Sequence, residues 1–171
     1  MLLSKKVSTN MIIEKLTQAR AFFNQDVPLY IAEINEQHQP IWGIMTPHHM
    51  LEHLIVTFKL SLGRIQIPVV TPADKLEKRK AYLINDSPML RSVPSPTGNN
   101  ELQPLRTSSL EEAKQKLLKE IESYLVFVEA EPSFVSNHPY GGPMTAQEWL
   151  LFHKKHFIHH FTQFGIIPEN E

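Results

Sequence analysis

Apolar and polar residues recur along most of this chain with the period of a helix rather than that of a strand. Between residues 9 and 23, Ile12, Ile13, Leu16, Ala19, Phe22 and Phe23 fall at helical spacing, with Thr9 or Asn10 placed to cap the start. After a break at Asn24-Gln25-Asp26, Pro28 suits a first helical position and a second piece runs to Gln37. Spacing alone leaves open whether these are one kinked helix or two. Residues 40–43 then read as a connector, with Trp42 as a buried anchor.

The stretch TPHHMLEHLIVTFKLSLG has clear ends: Thr46 caps, Pro47 takes the first helical position, and Gly63 stops the helix near Leu62. His53 shares its face with His49, Met50, Val56, Thr57 and Leu60, so it should point to the core. From 65 to 107 the chain is irregular and broken by prolines, with one short charged helix over 74–84. The 92–107 stretch is long for a connection, and loops of that length are usually functional or disordered. Leu110, Ala113, Leu117, Ile121, Tyr124, Leu125 and Val128 mark another helix, opened by Ser108 or Ser109 with Glu111 or Glu112 in a capping box. Pro132 ends it, and FVSNHPYGGP follows as a loop whose Gly141-Gly142 pair implies positive φ or close backbone approach. No β-hairpin signal is convincing.

The last helix runs from Thr145, capped with Glu148 three residues on, to a stop at Gly165. Its reverse side carries Leu151, Ile158 and Phe161, relieved by Lys154, Lys155 and Thr162. A helix apolar on most sides needs cover. Either a homodimer contact or the irregular 65–107 segment should provide it. The elements add up to an all-α, single-domain helical bundle over 1–171, with one or two short extra helices.

Composition changes this picture by exclusion. The 171 residues carry a net charge of −1, so no basic excess draws the chain to nucleic acid. Cysteine is absent, which rules out disulfides, thiolate metal sites and a cysteine nucleophile. No run reaches the ~18 apolar residues of a membrane span, and MLLSKKVSTN lacks the apolar stretch of a secretory signal. A cytoplasmic location is the expectation.

Histidine is the unusual residue, with nine in the chain. His156 and His160 differ by ~40° in direction and ~6 Å along the helix, so both can hold one ion. His153 and His160 are ~10 Å apart in rise and cannot. His159 points ~100° away from His160, although its spacing from His156 leaves it open as a ligand. Sites that do metal chemistry usually have three protein ligands and one open position. If inward faces meet in the core, His53 is the third. Three neutral imidazoles suit zinc, nickel, copper or iron, so ligand type does not settle the metal; zinc or nickel is the expectation. A bound water would be acidified there, or a substrate thiol held as thiolate.

Each of these residues also has a structural reading. His49, His53 and His153 can each be core histidines. His138 is read as a loop histidine that caps a backbone carbonyl, the other option being a pocket-mouth residue. Gln163, one turn from His160, either fixes an imidazole tautomer or is a polar residue near the helix end. Trp149 and Phe152 are read as core. Tyr140 stays open as a pocket residue. Glu52 and Glu148 lie about a quarter-turn from the metal-facing sides, so no general base is named.

The segments WGIMTPHHMLEHL at 42–54 and HPYGGPMTAQEWLLFHKKHFIHHFTQFG at 138–165 together resemble an uncharacterised branch of the DinB-like metal-binding superfamily. The resemblance implies an up-down-down-up four-helix bundle and the metal ligands His53, His156 and His160. At His49 the branch more often has glutamine, so an extra ligand, a competitor or a supporting group are all open there. Characterised relatives in the superfamily include transferases and isomerases that use a low-molecular-weight thiol. The resemblance therefore implies metal-activated thiol or water chemistry on a small electrophile, by a transferase or hydrolase. A non-catalytic metal-binding or stress-response module is the alternative, and a metal-free helical interaction protein the third reading.

Overall fold

The computed structural model describes residues 2–91, 93–96 and 101–169, with side chains from Asn10 onward. The chain is mostly helical. Helix α1 (Leu2–Ala21) passes through a π-helical turn (Phe22–Asp26) directly into α2 (Val27–Glu33). The expected two pieces are thus one path with a widened turn. Proline explains the widening: in a regular helix the Pro28 ring would meet the carbonyl of Asn24. Opening the ladder by one residue just before it, so that Val27 N–H reaches the Phe22 carbonyl, relieves the clash. Neither Thr9 nor Asn10 is a cap, because the helix already runs through them. Its inner face is also shorter than the pattern implied. Ala19, Phe22 and Phe23 are buried, while Ile12 and Ile13 stay 50% and 56% exposed.

Helix α3 (Pro47–Ser61) starts at Thr46, whose hydroxyl accepts from His49 N–H, as expected. The 65–107 segment contains a 3-10 turn (Ala73–Lys75) leading into α4 (Leu76–Ile84). Residues 92 and 97–100 of the long loop lie outside the described residues. Helix α5 (Leu110–Ala130) begins at Ser109, whose side chain accepts from Glu112 N–H. The box is not reciprocal: the Glu112 carboxylate accepts instead from the backbone and hydroxyl of Ser108.

The FVSNHPYGGP stretch is a hairpin, against expectation. Strand β1 (Val135–His138) pairs antiparallel with β2 (Gly142–Thr145), His138 opposite Gly142. A three-residue connection over 139–141 closes it, and Gly142, the first residue of β2, takes the left-handed conformation at φ +67°. Two four-residue strands, VSNH and GPMT, carry almost no alternation, and Pro143 interrupts the second, so the pattern does not announce them. Helix α6 (Ala146–Gln163) then begins at Thr145 with the full reciprocal box to Glu148.

The helices α1, α3 and α5 all pack on α6, and α3 packs on α5. Phe23, Phe58 and Phe157 meet edge to face at the centre. Of the two covers expected for the back of α6, the 65–107 segment provides one through α4. Lys155 is not a relieving surface charge. It is buried, and its ammonium donates to the Tyr82 carbonyl at 2.5 Å and Asn85 Oδ1 at 2.9 Å. Trp42 is only half-buried rather than an anchor in the core. Among the described residues no helix is long and apolar enough to cross a membrane.

Candidate metal centre

Helix α3 aims His53 inward, and α6 supplies His156 and His160 from adjacent turns. The Nε2 atoms of His53 and His156 are 3.0 Å apart, as are those of His156 and His160. All three ligand atoms lie within 4.8 Å of one another. Two nitrogens on one tetrahedral ion, at ~2.05 Å each, would stand roughly 3.3 Å apart. The protein thus already holds its nitrogens close to the spacing an ion requires.

The rings are fixed from behind. Gln163 Nε2 donates to the Trp42 carbonyl at 2.7 Å. A carbonyl only accepts, so the orientation of the amide is settled, and Gln163 Oε1 faces His160 Nδ1 at 2.8 Å. His160 must then carry its proton on Nδ1 and present a bare Nε2. Of the two sequence readings of Gln163, tautomer fixing is the one the geometry meets. Phe152 lies against His156 with nearly parallel rings, 5.0 Å apart.

Electrostatics keep the cluster neutral. Burial is the main cause in every case, with neighbouring histidines adding to it. His53 is pushed down to about 4, and His156 and His160 well below the usual imidazole value. The hydrogen bond that His160 donates to Gln163 opposes this. Neutral rings keep lone pairs available for a cation near pH 7.

The remaining sequence candidates have other placements. His49 is not among the clustered nitrogens; its Nδ1 lies 2.7 Å from Thr46 Oγ1 at the start of α3. His138 does not cap a carbonyl. Its Nδ1 accepts from the amides of Tyr140 and Gly141, closing the hairpin turn, because the three-residue connection directs two N–H groups at it. Tyr140 donates its hydroxyl to the Pro94 carbonyl and so ties the hairpin to the long loop. His153 is buried, with Nε2 3.0 Å from Ser61 Oγ. His159 stands outside the cluster, its ring edge-on to Trp42. Trp149 and Phe152 are buried, as read from the sequence.

Among the described residues no carboxylate joins the three histidines. Glu52 accepts from the backbones of Arg106 and Thr107 and from the Thr107 hydroxyl. Burial raises its pKa, but these hydrogen bonds together outweigh that and leave it lowered. Glu148 is engaged in the capping box and with Lys80. A groove of about 540 Å³ between the 65–69 segment and β1 contains none of the three histidines.

Sequence reasoning missed several long-range contacts. Arg91 lies over the Trp42 ring at 3.9 Å and pairs with Glu169, and His48 bonds to Thr107. These partners are 49 to 78 residues apart in the chain, and no periodicity reports on such pairs. No family model, curated protein or solved structure matches the chain.

Proposed function

We propose that this chain is a metal-dependent protein of the DinB-like kind, with His53, His156 and His160 holding one divalent ion, zinc or nickel first. The observation that carries the reading is the close meeting of three neutral Nε2 atoms. His160 offers only a lone pair, and a proton on His156 Nε2 can serve one neighbour at 3.0 Å but not both. Hydrogen bonds therefore cannot fully satisfy the cluster, whereas a cation accepts all three lone pairs.

Three protein ligands would leave a position for water or a small thiol, and the ion would supply a lowered pKa to whatever binds there. The chain's own part is to orient the imidazoles, through Gln163 and Phe152, and to bury His156 and His160 away from bulk solvent. On this reading the protein is a thiol-dependent transferase or a hydrolase acting on a small electrophile. A second reading, a non-catalytic metal-binding module, is favoured by one observation: Glu52 and Glu148 are both committed elsewhere, and among the described residues no carboxylate joins the three histidines.

Elemental analysis of the untagged protein tests the metal. One zinc or nickel per chain is expected, lost in H53A and H160A; unchanged stoichiometry in those variants overturns the ligand set. Turnover of electrophiles with added thiols, by the metal-loaded protein and not by H160A, separates catalyst from module.

A further inference from the structure

Two buried nitrogens on α6 remain to be explained. His153 Nδ1 and His156 Nδ1 are both buried and have no hydrogen-bond partner among the described residues. Buried polar groups are almost always paired, by protein or by ordered water. The two histidines are three residues apart, so their side chains are neighbours on one side of the helix.

The direction of bonding at His153 follows from its other nitrogen. Ser61 Oγ donates to the Phe58 carbonyl at 2.9 Å. With the Ser61 hydrogen on the Phe58 carbonyl, the Ser61 oxygen accepts, and in that arrangement His153 Nε2, 3.0 Å away, is the donor. His153 Nδ1 is then a bare lone pair. The ring cannot easily turn away, since Phe58 and Trp149 lie nearly parallel to it at 4.1 and 5.5 Å. At His156 the opposite holds. Once Nε2 gives its lone pair to an ion, a neutral imidazole must carry its proton on Nδ1. A buried donor and a buried acceptor, both unpartnered, thus lie one helical turn apart.

We propose that His153 is a positioning residue of the three-histidine centre, accepting through one buried water the Nδ1–H that His156 carries when its Nε2 binds the metal. The inference rests on the metal reading above. The chain of bonds is consistent throughout. His156 Nδ1–H donates to the water, the water to His153 Nδ1, His153 Nε2–H to Ser61 Oγ, and Ser61 O–H to the Phe58 carbonyl. The same water would also complete the bonding pattern of the metal-free protein. There His156 Nε2–H donates to His160 Nε2, both Nδ1 atoms are acceptors, and the water donates one hydrogen to each. Metal binding turns the water over without moving a side chain. Both ligands on α6 are then oriented from behind, His160 by Gln163 and His156 by His153.

The test measures zinc affinity by chelator competition on the untagged full chain, for wild type, H153F and H153N. Phenylalanine keeps the aromatic packing and removes the acceptor. Asparagine places an amide oxygen near the position of Nδ1. H153F is expected to reach one zinc per chain but to bind about ten- to a hundredfold more weakly, with most of the loss recovered in H153N. A folded H153F with wild-type zinc affinity overturns the inference and leaves the metal reading standing. A wild type that takes up neither zinc nor nickel overturns both. Should H153F not fold, imidazole ¹⁵N spectra of the zinc-loaded wild type decide. Protons on His153 Nε2 and His156 Nδ1 are expected, and a proton on His153 Nδ1 overturns the proposal.

Discussion

Gln163 holds His160 in one tautomer: its Oε1 lies 2.8 Å from His160 Nδ1 while its Nε2 is bound to the Trp42 carbonyl at 2.7 Å. The amide cannot flip without placing its oxygen against a carbonyl oxygen. Gln163→Leu keeps the bulk and removes this support. Zinc affinity should fall about ten- to a hundredfold, at unchanged saturating stoichiometry, as read by chelator competition. Wild-type affinity in this variant would mean the ring is oriented by packing alone.

Gly43 makes that contact accessible. It sits at φ +82°, and a Cβ there would come within 2.9 Å of Gln163 Nε2. Gly43→Ala should cost about 1–3 kcal/mol from backbone strain and also weaken zinc binding, although residue 43 is no ligand. Denaturant unfolding gives the first effect and chelator competition the second. If the Gln163 contact carries the metal effect, G43A should weaken zinc little further in a Q163L background.

His138 should make the protein acid-sensitive. Burial pushes its pKa down to about 3 in the folded chain, against ~6.5 when unfolded. Between those values the unfolded state binds the extra proton, so stability present above ~6.5 is lost as pH falls toward 3. His138→Asn keeps an acceptor for the Tyr140 and Gly141 amides and removes the titration. Unfolding free energies of metal-free protein, measured from pH 7 to 4, should fall less steeply in H138N, by up to about 1.4 kcal/mol per pH unit. Equal slopes would show that His138 takes up no proton differentially.

Lys155 should act on the fold and not on the metal. Its ammonium, held down to about 8 chiefly by burial, joins α6 to the end of α4 through Tyr82 and Asn85. Lys155→Met removes the ammonium that the Tyr82 carbonyl and Asn85 accept from and should destabilise by about 1–3 kcal/mol. Amide exchange should quicken over 82–87, while zinc affinity stays that of the wild type. A drop in zinc affinity would mean that α4 supports the centre.

Some of this was open to inspection residue by residue. Thr46-Pro47, Thr145 with Glu148, and the stops near Leu62 and Gln163 fix where α3 and α6 begin and end, because capping is a contact between residues three apart. The same local rule misjudged Thr9, where the helix runs on, and passed over β1 and β2, whose pairing depends on a partner strand more than on their own alternation.

The sequence by itself determined that His156 and His160 share a face, since four residues and a helical period leave no other outcome. It also placed His53 on the inner side of its own helix and Gln163 one turn beyond His160. Only the tertiary structure decided that His53 Nε2 arrives 3.0 Å from His156 Nε2, and that the Trp42 carbonyl reaches Gln163. It likewise decided that His49 turns to Thr46 and that Lys155 is buried under α4. The physical reason is distance along the chain. Periodicity and capping act within a few residues, whereas these contacts join positions up to 121 residues apart, and only the packing of α3, α4 and the 40–43 connector on α6 brings them together.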